Sequence, residues 1–69
     1  MYLYDDPAGF CVIRKMDDNR AIYADVYGGY YEAPLAWLKK AADILKTGNY
    51  KTGLHMIDMI GLNYKKEVQ

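Results

Sequence analysis

The 69-residue chain contains no serine, one cysteine and one histidine. The chain thus lacks a serine nucleophile, and Cys11, the only thiol, falls on a face predicted to be buried. One cysteine excludes an internal disulfide, and together with one histidine it supplies too few ligands for the usual structural zinc sites. We therefore expect no catalytic residue, no metal and no cofactor, and we do not expect an enzyme.

The chain also lacks a net charge. A protein whose main partner is nucleic acid needs clustered cationic side chains to neutralise phosphates, so nucleic acid is disfavoured as the main partner. The two halves nevertheless differ. Residues 1–33 carry six acidic and three basic side chains, whereas residues 34–69 carry six basic and three acidic ones. The sequence thus predicts an acidic β half and a basic helical half.

Long hydrophobic runs are missing as well. No stretch approaches the roughly 18 apolar residues of a membrane span, and the first residues lack the basic start and apolar run of a signal peptide. The single cysteine fits a reducing compartment. We expect a cytoplasmic protein without a membrane partner.

Tyrosine is the residue present in excess, with eight tyrosines against one phenylalanine. A tyrosine ring supplies contact area while its hydroxyl stays hydrated, which is typical of recognition surfaces. The densest run extends from Tyr23 to Tyr31 and is interrupted by Asp25 and the pair Gly28 and Gly29. This run is therefore predicted to form part of a binding surface.

Residues 10–16 and 21–27 have the branched and aromatic composition of β-strands. The turn between them predicts a tight hairpin with Asp18 and Asn19 at its tip in left-handed conformations. In that register Arg14 faces Tyr23. Residues 1–5 can add a third antiparallel strand, which would place Tyr2 and Tyr4 on one face. The sheet is therefore predicted to have two or three strands.

This register divides the hairpin into two faces. One is apolar and predicted to be buried, and it carries Cys11, Ile13, Ile22, Ala24 and Val26. The other mixes rings with charges, as an exposed contact face does, and Gly28 and Gly29 then form a joint to the first helix. The predicted partner-binding residues are Arg14, Tyr23, Asp25, Tyr27, Tyr30 and Tyr31. The alternative is that two of the four rings pack beneath the helices.

Two helices follow the strands. Pro34 suits the first helical position and Gly48 a helix end, while Thr52 and Gly61 are predicted to begin and end the second helix. The fold class is therefore α+β, a small antiparallel β-meander followed by an α-helical hairpin packed on one face. Residues 1–64 form a single small domain, and residues 65–69 are expected to be a frayed tail.

Tyrosine and arginine dominate the energetically important positions of protein interfaces. We therefore expect a small non-enzymatic protein-binding module or inhibitor acting through the tyrosine-rich acidic sheet face. Small, acidic, tyrosine-rich chains resemble proteins of phages and mobile elements that bind host machinery, including anti-restriction and anti-CRISPR proteins, although no motif carries this resemblance. One alternative is a nucleic-acid-binding accessory protein that stacks single strands on sheet tyrosines. Another is a self-assembling structural protein, a homodimer joined through the strand at residues 21–27.

Three further sequence features give weaker signals. The aspartates at residues 5, 6, 17 and 18 could mimic the phosphate spacing of nucleic acid, but aspartate is favoured in turns for local reasons. His55 and Asp58 lie one helical turn apart like a general base and the residue that orients it, yet no nucleophile accompanies them. The second helix offers no outward Arg, Lys, Asn or Gln over residues 52–60, which disfavours base reading by a helix-turn-helix.

Overall fold

The computed structural model describes the backbone of residues 1–68 and the side chains of residues 1–63. The elements in chain order are β1 (Tyr2–Asp5), β2 (Cys11–Lys15), β3 (Arg20–Asp25), β4 (Tyr30–Pro34), α1 (Leu35–Lys46) and α2 (Tyr50–Val68). The strands form one antiparallel sheet in the order β1-β2-β3-β4, and both helices pack on it. The α+β class is thus confirmed, but the sheet has four strands where two or three were predicted. The strand predicted to join a homodimer as a sheet edge, residues 21–27, corresponds to β3, which is paired on both sides by β2 and β4, so the prediction that it is an edge is wrong.

The strand β4 is the element that the sequence interpretation missed, because Gly28, Gly29 and Pro34 suggested a joint. The two glycines belong instead to a loop that reverses the chain, so that Tyr31 pairs with Tyr23. Pro34 closes β4 with φ −55° and ψ 136° and is the N-cap of α1, one position before its predicted place. The chain therefore passes from sheet to helix without a connecting loop.

The β2–β3 turn differs from its predicted geometry. A two-residue tip would need positive φ at Asp18 and Asn19, but among the described residues positive φ occurs only at glycines. Asp17 closes the turn instead, because its Oδ1 accepts the backbone N–H groups of Asn19 (2.8 Å) and Arg20 (2.9 Å). The N–H of Met16 donates to the carbonyl of Arg20 (3.0 Å), which leaves a three-residue loop at 17–19.

That turn shifts the register by one residue, and a one-residue shift turns a strand over. Ile13 now pairs with Tyr23, so Tyr23 is a core residue with 8% of its surface exposed. Ile22 and Ala24, predicted to face the core, lie half-buried on the opposite face. The prediction for β2 is confirmed, since Cys11 and Ile13 are buried.

A β-bulge in β1 separates the two N-terminal tyrosines. Tyr2 pairs with Arg14 and Tyr4 with Ile13, so the bulge at Leu3 puts both Leu3 and Tyr4 into the core. Tyr2 remains on the face that the helices leave open, where the Arg14 guanidinium carbon lies 5.6 Å from its ring centroid. The prediction that Tyr2 and Tyr4 share a face is therefore wrong.

The helical hairpin is joined by a short turn. Helix α1 ends at the predicted place, with Thr47 as C-cap and Gly48 at φ +87°. Helix α2 starts earlier than predicted, because Asn49 rather than Thr52 caps it: the Asn49 Oδ1 accepts the Thr52 N–H at 3.3 Å. Over the described residues, neither helix is both long and apolar enough to cross a membrane.

Gly61 does not end α2, which continues to Val68. The glycine is a packing site, because a Cβ there would lie 3.1 Å from Cε2 of the Tyr31 ring. The Tyr31 hydroxyl donates to the Ile57 carbonyl of the same helix at 2.8 Å. Tyr31 thus fixes α2 against β4. The side chains of residues 65–69 and the whole of Gln69 lie outside the described residues. The frayed tail predicted there stays a prediction.

The core lies between the sheet and the two helices. Its fully enclosed large side chains come from β2, α1 and α2, and they are Ile13, Leu38, Leu45 and Ile57. Smaller buried residues of β3, β4 and α1 let the layers approach, and they are Ala21, Ala33, Ala41 and Ala42. The opposite face of the sheet carries no helix. We call it the helix-free sheet face, and it consists of Tyr2, Asp5, Val12, Arg14, Arg20, Ile22, Ala24, Tyr30 and Glu32.

Candidate binding groove

The predicted partner-binding residues do not form one patch. Arg14 and Tyr30 lie on the helix-free sheet face. Tyr23 and Tyr31 lie on the opposite, helix-covered face, where their ring centroids are 5.2 Å apart. The alternative that two of the four rings pack beneath the helices therefore describes these two tyrosines.

The other two predicted residues, Asp25 and Tyr27, lie where β3 leaves the sheet. Because the sheet is a meander, the β1–β2 and β3–β4 loops emerge at this same end. We call it the loop end. The β2–β3 turn emerges at the opposite end. The loop end is where the structure concentrates hydrogen-bonded carboxylates.

In the β1–β2 loop, Asp6 accepts three hydrogen bonds. The Tyr4 hydroxyl donates to its Oδ1 at 2.8 Å. The backbone N–H groups of Ala8 and Phe10 donate to its Oδ2 at 3.0 and 3.1 Å. The carboxylate thus ties the strand to the loop that follows it.

The β3–β4 loop repeats this arrangement around Asp25. The Tyr23 hydroxyl donates to Asp25 Oδ2 at 2.7 Å. The backbone N–H groups of Tyr27 and Gly29 donate to its Oδ1 at 2.9 and 2.8 Å. In both loops the donors lie two residues before, two residues after and four residues after the aspartate.

A repeated sequence underlies the two loops. Residues 4–9 and 23–28 both read Tyr-x-Asp-x-x-Gly. Residues two apart on a strand lie on the same face, so the tyrosine hydroxyl can reach the aspartate. The last position has φ +78° at Gly9 and +88° at Gly28, a conformation that glycine adopts without strain. The sequence interpretation missed this repeat, although its spacing was visible.

The hydrogen bonds set the charge of both loops. The Tyr4 hydroxyl, and then the Phe10 N–H, hold the pKa of Asp6 below its ordinary value of 3.8. The Tyr23 hydroxyl does the same for the pKa of Asp25. Burial, followed by the neighbouring carboxylate, raises the pKa of both tyrosines. The carboxylates are therefore anionic and the hydroxyls neutral near pH 7.

Between the two loops and the first half of α2 lies a groove of about 620 Å³, which we call the loop-end groove. Pro7 and Phe10 come from the first loop, Tyr27 from the second, and Leu54 from α2. The lining consists of Asp6, Pro7, Ala8, Phe10, Cys11, Tyr23, Asp25, Tyr27, Leu45, Tyr50, Leu54 and Asp58. Three of these are carboxylates, and none of the described lining residues is basic.

Cys11 contributes a buried thiol to the groove lining. It is 6% exposed and free of any disulfide, and among the described residues its sulfur has no hydrogen-bond partner. Burial, and then the charges of Asp6 and Asp25, raise its pKa. The thiol therefore stays protonated and is a poor nucleophile.

Asp58 stands on α2, on the same helical face as Tyr50 and Leu54. It is exposed, and within the described side chains its carboxylate makes no hydrogen bond or ion pair. Its charge adds to burial in raising the pKa of Tyr31. The described residues contain no group of three or more His, Cys, Asp or Glu side chains that could hold a metal ion. The three carboxylates thus line the groove without converging on one point.

The helix-free sheet face has a different character. Its charges are balanced in number, since it carries Arg14 and Arg20 together with Asp5 and Glu32. Arg20 and Glu32 form an ion pair at 3.6 Å. Its exposed rings, Tyr2 and Tyr30, are on the outer strands β1 and β4.

No protein-family model matches this chain, and neither a curated protein nor a solved structure is significantly similar to it.

Proposed function

We propose that this chain is a non-enzymatic protein-binding module that holds its partner in the loop-end groove. The observation that carries the proposal is the groove itself, whose apolar walls end in exposed rings. Tyr27 is 84% exposed, and Phe10 and Tyr50 are about half exposed. Aromatic side chains around a concave apolar surface are typical of binding sites. Of the residues predicted from the sequence, the proposed site includes Tyr23, Asp25 and Tyr27, and it does not include the helix-free sheet face.

The titratable groups of the groove support binding over catalysis. A general acid or base works best with a pKa near the operating pH. The pKa values of Asp6 and Asp25 are lowered, and those of Tyr23 and the Cys11 thiol are raised, so all four move away from neutral pH. These groups keep fixed protonation states, which suits a surface that recognises charge.

The partner can be sought with two matched double variants. Phe10→Ala/Tyr27→Ala removes two exposed rings of the groove, and Tyr2→Ala/Tyr30→Ala removes two from the helix-free sheet face. In affinity capture from the native source, the same protein should be retained by the wild type and by the sheet-face variant and lost by the groove variant. Because all four rings are exposed, melting temperatures should change little. The opposite pattern would place the site on the sheet face.

The resemblance to phage inhibitors predicts who that partner is. If the chain is an inhibitor of that kind, the captured protein is part of a host restriction or CRISPR system. Addition of the purified chain should then reduce the activity of that system, and the groove variant should not. Capture of a protein without such activity would leave binding as the function and remove the inhibitor assignment.

Single-stranded nucleic acid on the helix-free sheet face is the second candidate. The position of Asp25 favours this candidate. In the predicted register Asp25 would lie beside the bound phosphates, whereas in the structure it lies at the loop end. Arg14 and the exposed Tyr2 and Tyr30 remain on the face. Bases stacking on these rings would contribute about 1–3 kcal/mol each. Oligonucleotide binding that weakens steeply with salt and is lost in Tyr2→Ala/Tyr30→Ala would support it.

A further inference from the structure

The charged side chains that line the loop-end groove are all acidic. Asp6, Asp25 and Asp58 line it, and the described lining residues include no lysine, arginine or histidine. Low-dielectric walls concentrate the field of such charges inside a cleft. A partner surface that enters this groove must therefore bring positive charge to offset the cost of desolvating the carboxylates.

The three carboxylates have different capacities for a new ligand. Asp6 and Asp25 each already accept three hydrogen bonds from their own loops. They contribute mainly a fixed negative potential. Asp58 makes no hydrogen bond or ion pair within the described side chains, so both of its oxygens can receive donors from a ligand. A carboxylate with two open oxygens matches the forked N–H groups of a guanidinium.

The remaining lining suits the rest of an arginine side chain. Phe10, Tyr27 and Tyr50 offer exposed rings, on whose faces a guanidinium stacks better than an ammonium. Pro7 and Leu54 supply apolar surface for the methylene stem. Cys11 adds a buried sulfur without a hydrogen-bond partner among the described residues, a weak acceptor for an N–H group.

We propose that the loop-end groove binds an arginine side chain on an extended, otherwise apolar segment of the partner protein, with its guanidinium directed to Asp58. The volume of about 620 Å³ exceeds what one side chain occupies, so the residues beside the arginine also enter the groove. This inference rests on the proposed function, because it names the part of the partner that the module recognises.

Three peptides test the chemistry directly. The probe is acetyl-Gly-Leu-Arg-Leu-Gly-amide, and its two controls replace arginine by citrulline, a neutral isostere, or by lysine. In calorimetric titrations at low salt, the arginine peptide should bind the full chain at least about tenfold more tightly than the citrulline peptide. The lysine peptide should bind several-fold more weakly than the arginine peptide, because an ammonium group can neither donate a pair of parallel hydrogen bonds to one carboxylate nor stack flat on an aromatic ring. Equal binding of arginine and citrulline peptides, or tighter binding of lysine, would overturn the proposal.

Two charge-matched variants locate the contact. Asp58→Asn removes the open carboxylate, and Asp43→Asn removes an exposed aspartate of α1 outside the groove lining. Asp58→Asn should reduce the preference for arginine over citrulline to about twofold or less, and Asp43→Asn should leave it unchanged. In nuclear magnetic resonance titrations, the amide signals that move should be those of Phe10, Tyr27 and Leu54. Equal effects of the two variants, or shifts confined to the helix-free sheet face, would overturn the assignment.

A second copy of the chain is the other possible cationic occupant, since α1 carries exposed Lys39 and Lys40. Sedimentation without peptide separates this case: a dimer that dissociates with salt and disappears in Asp58→Asn would assign the groove to self-association and overturn the arginine proposal. Failure of the arginine proposal can also be distinguished from failure of the proposed function. If Phe10→Ala/Tyr27→Ala abolishes partner capture while arginine and citrulline peptides bind alike, the groove is the binding site but its ligand is not arginine.

Discussion

The two ends of the sheet use aspartate in different ways. At the β2–β3 turn, Asp17 accepts two backbone N–H groups from an exposed loop, and Lys15 stands two residues before it. At the loop end, Asp6 and Asp25 also accept backbone N–H groups, but a buried tyrosine stands two residues before each. The tyrosine hydroxyl joins the carboxylate to the core. Aspartate thus lies in a solvated turn at one end of the sheet and is hydrogen-bonded to a buried tyrosine at the other.

The comparison explains why acidic composition alone is a poor guide to a binding site. Among the described residues, Asp17 and Asp18 interact only with residues of their own turn and its flanking strands. Asp18 forms an ion pair with Lys15 at 3.4 Å, and its side chain is almost fully exposed. Asp6 and Asp25 line a groove whose other lining residues are mainly apolar or aromatic. Their proximity to a groove, rather than their number, makes them candidates for recognition.

The largest expected effect comes from removing a ring that links the core to the loop end. Tyr23→Ala deletes a buried aromatic side chain and leaves Asp25 without its hydroxyl donor. Loss of a buried ring costs about 3–5 kcal/mol, a large part of the stability of so small a domain. Tyr30→Ala, on the helix-free sheet face, should change the free energy of unfolding by less than about 0.5 kcal/mol. Urea denaturation of both variants measures the difference, and similar losses would contradict the observed register.

The next largest difference in the free energy of unfolding is expected between variants of Asp25 and Asp17. Asp25→Ala leaves the buried Tyr23 hydroxyl and two loop N–H groups without their acceptor, and should destabilise the chain by about 1–3 kcal/mol. Asp17→Ala exposes its two N–H groups to water, which can replace the carboxylate, so about 0.5–1 kcal/mol is expected. Chemical denaturation at neutral pH compares them. A larger loss for Asp17→Ala would remove the distinction between the two ends.

The register that places Tyr23 could not be predicted from strand composition. It depends on Asp17 closing a three-residue loop, and that hydrogen bonding competes closely with a two-residue turn. Tyrosine adds to the ambiguity because it is accepted both in cores and on surfaces. The bulge at Leu3 and the strand β4 likewise follow from tertiary pairing. Helix α1 was predictable, since Pro34 and Gly48 are local signals for its two ends.

The candidate groove was only partly within reach of sequence reasoning. Tyr23, Asp25 and Tyr27 were predicted as partner-binding residues, and all three line the groove. Asp6 and Phe10 lie far from them in sequence, and only the meander brings the two loops to one end. Asp58 joins through α2, whose start depends on the Asn49 cap. The repeated Tyr-x-Asp-x-x-Gly spacing was the available signal for pairing the two loops.

Acid should distinguish the loop end through its hydroxyl bonds. The folded-state pKa values of Asp6 and Asp25 lie below 3.8, so their contribution to stability is complete above that pH and is lost as the pH falls below it. Replacing the donors in Tyr4→Phe/Tyr23→Phe removes the main cause of both shifts. The variant should therefore lose less stability than the wild type on acidification below pH 3.8. Urea midpoints measured across this range test it, and parallel curves would contradict the assigned cause.

The smallest effect is the resistance of individual phenols to base. Burial raises the pKa values of Tyr4, Tyr23 and Tyr31 above the ordinary 10.0, with a carboxylate adding to each. Their neutral forms stabilise the fold up to about pH 10, and that contribution is lost as the pH rises further. Phenolate absorbance should thus show at least three of the eight tyrosines failing to ionise near pH 10. Tyr23→Phe should lower the number of tyrosines that resist ionisation by one, and Tyr30→Phe should not change it, because the resistant phenols lie on the groove and core side of the sheet. If both variants lowered that number equally, the assignment of Tyr23 to the buried face and Tyr30 to the exposed face would be wrong.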